Sequence, residues 1–214
     1  MRCRPCSDVG GDLVDYAPAD GCAALLIADV AGHGISAAML TTVVKSAFRA
    51  AGAARYEPQA VVTAVMDGLA PFGQEKFVTL LSAVVDRAAK TIRYANAGHP
   101  PGWIFRRGEV IDELNPTGPL ILPGGGLGEI AVARVALPEH AGVLLFTDGL
   151  TDAVAPGGQR FDESRLREVV GRFPGGGAAL LDGILASADA FCAGEPPRDD
   201  ITLLTATMGL PGLS

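Results

Sequence analysis

Long apolar runs are missing from this 214-residue chain. No stretch reaches the ~20 uncharged residues that a membrane-spanning helix needs. The opening Met1-Arg2-Cys3-Arg4-Pro5 carries no apolar secretion signal, so the chain reads as soluble and cytoplasmic. Cysteine is scarce: Cys3, Cys6, Cys22 and Cys192 are too few to frame a domain of this length with disulfides. Cys3 and Cys6 have the spacing of a zinc or redox pair, but no second such pair completes a tetrahedral site. Reduced thiols without a role are the expectation. Positive charge is also short: 17 Lys and Arg stand against 24 Asp and Glu, a net charge of −7. That balance argues against a nucleic-acid-binding face.

What is present describes a folded domain. Hydrophobic residues make up 49% and charged residues 19%, too rich in the first for a disordered chain. At roughly 150 residues per domain, the length points to a single domain over 1–214. A chain of this size buries on the order of 70% of its unfolded surface.

The apolar run Leu25-Leu26-Ile27-Ala28 reads as a buried strand ending in an acid. From Ile35 the pattern turns helical, with Ile35, Met39, Val43 and Ala47 on one stripe and Leu40, Val44 and Phe48 beside it. So wide an apolar face should be mostly covered, with Gly52 ending the helix. A second helix follows from Glu57 to Phe72, with Pro58 in its first turn. Strands are expected at Phe77 to Val85, Thr91 to Ala95, Trp103 to Phe105, Val110 to Leu114, Ile130 to Val135 and Val143 to Phe146. Helices near Glu163 to Phe173 and Ala178 to Cys192 precede a last strand, Ile201 to Thr207. Helical pairs interrupting hairpin strands give an α+β layered domain with largely antiparallel sheets.

The aspartates fall at strand ends. Asp29 and Asp148 follow apolar runs; Asp12 and the pair Asp199-Asp200 precede them. In an antiparallel sheet the C-terminal end of one strand lies beside the N-terminal end of its neighbour. These acids can therefore converge on one edge of the same sheet. Converging carboxylates repel unless a cation sits among them. All the donors are oxygens, which selects Mg²⁺ or Mn²⁺ rather than zinc, and two such ions roughly 3.5–4 Å apart activate water and clamp phosphoryl oxygens. The competing reading is that each aspartate merely caps a turn, Asp148-Gly149 being an ordinary hairpin signal.

Five motifs then come in order: Val9-Gly10-Gly11-Asp12, Asp29-Val30-Ala31-Gly32-His33-Gly34, Asn96-Ala97-Gly98-His99-Pro100-Pro101, Thr147-Asp148-Gly149 and Asp199-Asp200-Ile201-Thr202. Together they resemble the PPM-type (type 2C-like) protein serine/threonine phosphatases. The resemblance is to the bacterial branch of stage II sporulation protein E and the sigma-B regulator phosphatases, and it covers about Cys6 to Thr207. It implies an α/β-β/α four-layer sandwich, with two mainly antiparallel sheets flanked by helices and two Mn²⁺ or Mg²⁺ ions at one edge. On that likeness Asp29 bridges both ions and the Val30 backbone carbonyl completes one of them. Asp148 and Asp199 hold the other ion, and Asp12 serves the remaining metal position. Asp200 supports the ligands from behind, His33 either protonates the serine leaving group or only orders the glycine loop, and Asn96 and His99 are structural. Hydrolysis of phosphoserine or phosphothreonine by metal-activated water would need no phosphoenzyme.

The same likeness implies a phosphorylated STAS-type anti-sigma-factor antagonist as substrate, in sigma-factor partner switching, with neither nucleic acid nor membrane as partner. It also implies a homodimer through helices 35–51 and 57–72. Two departures stand out. Only eleven residues precede Asp12, so an edge strand is expected to be lacking or the chain to be truncated, with no upstream sensor domain. Ile121 stands where the family loop has glycine. The alternatives are a catalytically weak regulatory binding module on the same fold, and a serine hydrolase built on Gly34-Ile35-Ser36-Ala37-Ala38. The latter lacks the second glycine of a nucleophile elbow.

Overall fold

The computed structural model describes residues 1–6, 9–32, 34–72, 76–124 and 128–208. Two five-stranded sheets, antiparallel between neighbours, lie face to face. One runs β1 (Arg2–Arg4), β10 (Ile201–Thr207), β9 (Ala141–Phe146), β6 (Gly102–Arg106), β7 (Glu109–Leu114). The other runs β2 (Asp12–Ala19), β3 (Cys22–Val30), β4 (Val78–Asp86), β5 (Thr91–Ala97), β8 (Ala133–Ala136). Helices α1 (Ile35–Ala50) and α2 (Pro58–Leu69) cover the β2–β8 sheet. Helices α4 (Asp162–Arg172) and α5 (Gly177–Phe191) cover the other, and a four-residue helix, α3 (Asp148–Thr151), follows β9. Among the described residues no helix is long and apolar enough to cross a membrane.

Strand alternation divides the interior into three cores. Along β3, Leu26, Ala28 and Val30 face α1 and α2, packing on Leu40, Val44, Phe48, Val61, Val65 and Leu69. Leu25 and Ile27 turn the other way and meet Leu81, Ile104, Val143, Leu145 and Leu204 between the sheets. On the far sheet, Trp103, Leu144, Phe146 and Leu203 pack against Leu166, Val170, Leu181 and Ile184. Residues buried on both faces of a sheet explain why β9 and the middle of β3 read as continuous apolar runs. Each fully buried Leu, Ile or Phe contributes about 1.5–3 kcal/mol.

Four expectations change. The first helix presents Ala37, Leu40, Val44 and Phe48 to the sheet, so Ile35 and Met39 on the neighbouring stripe stay 77% and 60% exposed. An edge strand is present after all: Arg2 to Arg4 pair with Leu203 to Ile201. Asp148-Gly149 opens a helix rather than a hairpin turn. The strand expected from Ile130 begins at Ala133, because Ile130 is buried with the helix-side core before pairing with β5 starts. Among the described residues no cysteine is joined in a disulfide.

Candidate active site

The period-two rule places the site. Counting from the inter-sheet residues Leu25 and Ile27 leads to Asp29, from Val14 to Asp12, and from Leu81 to Thr79. These three are register partners across β2, β3 and β4, Asp12 with Asp29 and Asp29 with Thr79. On the opposing sheet, counting from Leu145 and Leu204 leads to Thr147, Thr202 and Asp200. The acids therefore meet across the gap between two sheets, one group on β2 and β3, the other after β9 and before β10. The expectation of one edge of a single sheet is corrected accordingly. It failed because β9 and β10 neighbour each other and not β3.

Asp12 and Asp29 are held close. The Val30 N–H donates to the Gly11 carbonyl at 3.1 Å. The adjacent Asp12–Asp29 pair is thus of the non-hydrogen-bonded kind, in which side chains approach most nearly. The Thr147 hydroxyl crosses from the other sheet to donate to Asp12 Oδ2 at 2.7 Å, and its oxygen accepts the Thr202 N–H at 3.0 Å. Asp200 is buried and ties the Gly-Gly-Asp segment down. Its carboxylate accepts the N–H groups of Cys6 (2.8 Å), Gly11 (2.6 Å) and Asp12 (3.3 Å). Asp199 Oδ1 accepts the Asp200 N–H at 2.8 Å. Glycine is required where backbones crowd: a Cβ at Gly11 would lie 2.5 Å from the Val30 carbonyl oxygen, and one at Gly149 2.1 Å from that of Asp200.

Crowding shows in the acidities. Burial, with the charge of Asp29 behind it, pushes Asp12 up to about 8 despite the Thr147 hydrogen bond. Burial and the charges of Asp148, Asp199 and Asp200 push Asp29 up to about 7. Asp148 is raised by burial and then by Asp199. Asp12, Asp29, Asp148, Asp199 and Asp200 thus share one field, and no cationic side chain figures among the causes of these shifts. Lys76 reaches only the neighbouring loop, donating to the Ala31 carbonyl at 2.9 Å.

This donor set fits a hard divalent cation in chemistry: oxygens only, in mutual repulsion. Among the described residues no three of the His, Cys, Asp and Glu side chains stand close enough to clasp a single ion. Mg²⁺ in general is held by one or two carboxylates and keeps several waters. His33 lies outside the described residues. His99 is buried away from solvent, its burial driving its pKa down to about 3 so that it is neutral. The sequence reading missed Thr147 and Thr79. The signal for both was parity: each sits an even number of residues from an inter-sheet leucine.

The chain is similar to known proteins. The family model for stage II sporulation protein E (SpoIIE) matches residues 19–209. The phosphoserine phosphatase RsbP of Bacillus subtilis is 30% identical over 155 residues, 70% of this chain and 38% of that protein. Protein IcfG of Synechocystis sp. is 30% identical over 130 residues, 60% of this chain and 20% of IcfG. The chain thus spans well under half the length of these curated relatives. Among solved structures, the SiaA-PP2C domain of Pseudomonas aeruginosa superposes with a TM-score of 0.82 at 23% identity, covering 96% of this chain and 84% of that one. With the sandwich shared and the family match running over nearly all its length, the chain belongs to the stage II sporulation protein E family and carries its PPM-type phosphatase domain.

Proposed function

We propose that this chain hydrolyses phosphoserine or phosphothreonine on a protein with the help of two Mn²⁺ or Mg²⁺ ions. The observation that carries the reading is the mutual crowding of Asp12, Asp29, Asp148 and Asp199 at the seam between the sheets, all offering hard oxygen. Asp29 would serve both ions, with the Val30 carbonyl beside it; Asp148 and Asp199 would hold one and Asp12 the other. When bound, such ions supply Lewis-acid activation of water and neutralise charge gathering on the phosphoryl oxygens. The protein's own contribution is preorganisation. Thr147 fixes the direction of the Asp12 carboxylate, Asp200 holds the loop that carries it, and Gly11 lets that loop pass against the Val30 carbonyl. His33 is the group we assign to protonate the leaving serine oxygen, since imidazole titrates near neutral pH.

Family membership supports a phosphorylated STAS-type anti-sigma-factor antagonist as the substrate, with sigma-factor partner switching as the setting. Two copies meeting through 35–51 and 57–72 would cover the exposed Ile35 and Met39. They would also cover the groove of about 590 Å³ between α1 and α2, which Val43, Ala47, Ala64 and Gly68 help to line. Phosphate release from a phosphorylated STAS protein, with Mn²⁺ and with EDTA, tests the activity. Turnover that persists in EDTA, or in D29A, would overturn the metal-dependent reading. Mn²⁺ binding without any turnover would favour the regulatory module instead.

A further inference from the structure

His99 is buried, 1% exposed, and neutral at the end of the sandwich where the acids gather. It is held with unusual care for a core residue. Its backbone N–H donates to Asn96 Oδ1 at 2.8 Å, and Asn96 is itself fixed by donating Nδ2 to the Leu114 carbonyl at 3.0 Å. The Asn96 N–H in turn donates to the Thr117 hydroxyl at 2.9 Å. What the ring does with this support is specific. Nδ1 lies 2.9 Å from Thr79 Oγ1, while the rest of the ring faces the backbone of Phe146. A leucine or phenylalanine would fill this space without the cost of burying a polar ring, but would offer the Thr79 hydroxyl no partner. The side chain therefore does more than pack.

Thr79 is the register partner of Asp29 and faces the same gap between the sheets. Thr147, from the opposing sheet, is fixed by the Thr202 N–H and donates directly to Asp12; Thr79 stands beside Asp29 on the adjacent strand, its hydroxyl at the His99 ring. We propose that Thr79, pinned by His99, is a positioning residue for the Asp29 carboxylate: the ring fixes the hydroxyl's rotamer so that a polar oxygen always stands beside Asp29. Whichever ring nitrogen carries the proton, the Nδ1–Oγ1 contact sets that rotamer. The hydroxyl then limits which way Asp29, or a water on it, can turn. Each carboxylate of the Asp12–Asp29 pair thus has its own threonine, one from each sheet. The inference rests on the proposed metal-dependent reading.

The test uses the full chain and Mn²⁺ as probe, with calorimetric titration for affinity and thermal melting in EDTA for the fold. T79V keeps shape and removes the hydroxyl; T79S keeps the hydroxyl and removes the methyl. Groups that orient metal ligands typically change affinity 10–100-fold when lost. T79V should therefore bind Mn²⁺ at least ~10-fold more weakly, and T79S within ~3-fold of wild type. Both should melt within a few degrees of wild type in EDTA, and H99Q, where it folds, should follow T79V. Equal Mn²⁺ affinity in T79V and wild type would overturn the proposal, as would a T79S defect as large as that of T79V. A wild-type chain that binds Mn²⁺ and turns over normally beside an unaffected T79V removes this inference alone. A wild-type chain that takes up no Mn²⁺ removes the parent reading with it.

Discussion

Replacing Asp12 by Asn is expected to stabilise the metal-free protein, and by more as the pH rises. In the unfolded chain Asp12 ionises near its ordinary 3.8; in the folded chain burial and the charge of Asp29 move it to about 8. Between those values the folded state retains a proton that the unfolded state has released. Stability is therefore full below pH 4, falls as the pH climbs, and levels off above pH 8. The slope for one such group is about 1.4 kcal/mol per pH unit. For a domain of this size 1 kcal/mol corresponds to about 2–4 °C, so D12N should gain about 3–6 °C over wild type per pH unit between pH 5 and 8. The amide keeps an oxygen to accept the Thr147 hydroxyl, so the hydrogen bond at 2.7 Å need not be lost. His99 acts in the opposite sense. Held at about 3 against an ordinary 6.5, it removes stability as the pH falls below 6.5. That effect is common to both proteins and cancels in their difference. Melting curves in EDTA at several pH values, repeated with Mn²⁺, make the measurement. In Mn²⁺ the order should reverse, because only the wild type keeps the full set of carboxylates. Parallel pH profiles for D12N and wild type in EDTA would refute the reasoning.

Other outcomes follow from the same geometry. D29N, D148N and D199N should each lower turnover on a phosphoprotein by at least ~100-fold while the protein stays folded, as read by phosphate release and circular dichroism. D200N should cost about 2–3 kcal/mol in urea unfolding, because its carboxylate accepts three backbone N–H groups that hold the Gly-Gly-Asp segment. I35E and M39E should leave the melting temperature within about 2 °C, both positions being exposed, while converting any dimer to monomer in light scattering. A dimer unchanged by both would place the contact elsewhere.

Much of the fold was legible because its signals are local. The run around Leu25 to Ala28, the 3.6-residue period after Ile35 and Pro58 at a helix start each name their element without reference to the rest. The partners of those elements were not legible. Nothing in Val143 to Phe146 says that it pairs with β10 and β6 and not with β3, so the acids were assigned to one sheet when they come from two. Residues Arg2 to Arg4 form a strand only because Leu203 to Ile201 offer a free edge; their own composition gives no sign of it. Ile35 and Met39 mislead in the opposite way. They extend an apolar stripe, but a helix resting on a flat sheet covers only the face that carries Leu40, Val44 and Phe48. In the candidate site, motif spacing drew attention to the carboxylates, whereas Thr147 and Thr79 emerge only when strand parity is read against both sheets.

The N–H of Gly11 reaches a carboxylate 189 residues later in the chain. A ribosome making this protein delivers Asp12 and Asp29 well before Asp199 and Asp200. Until the final strand has slotted between its neighbours, the early acids have nothing opposite them. A chain that lacks β10 therefore cannot bring these acids together, and the candidate site assembles only once the sandwich has closed.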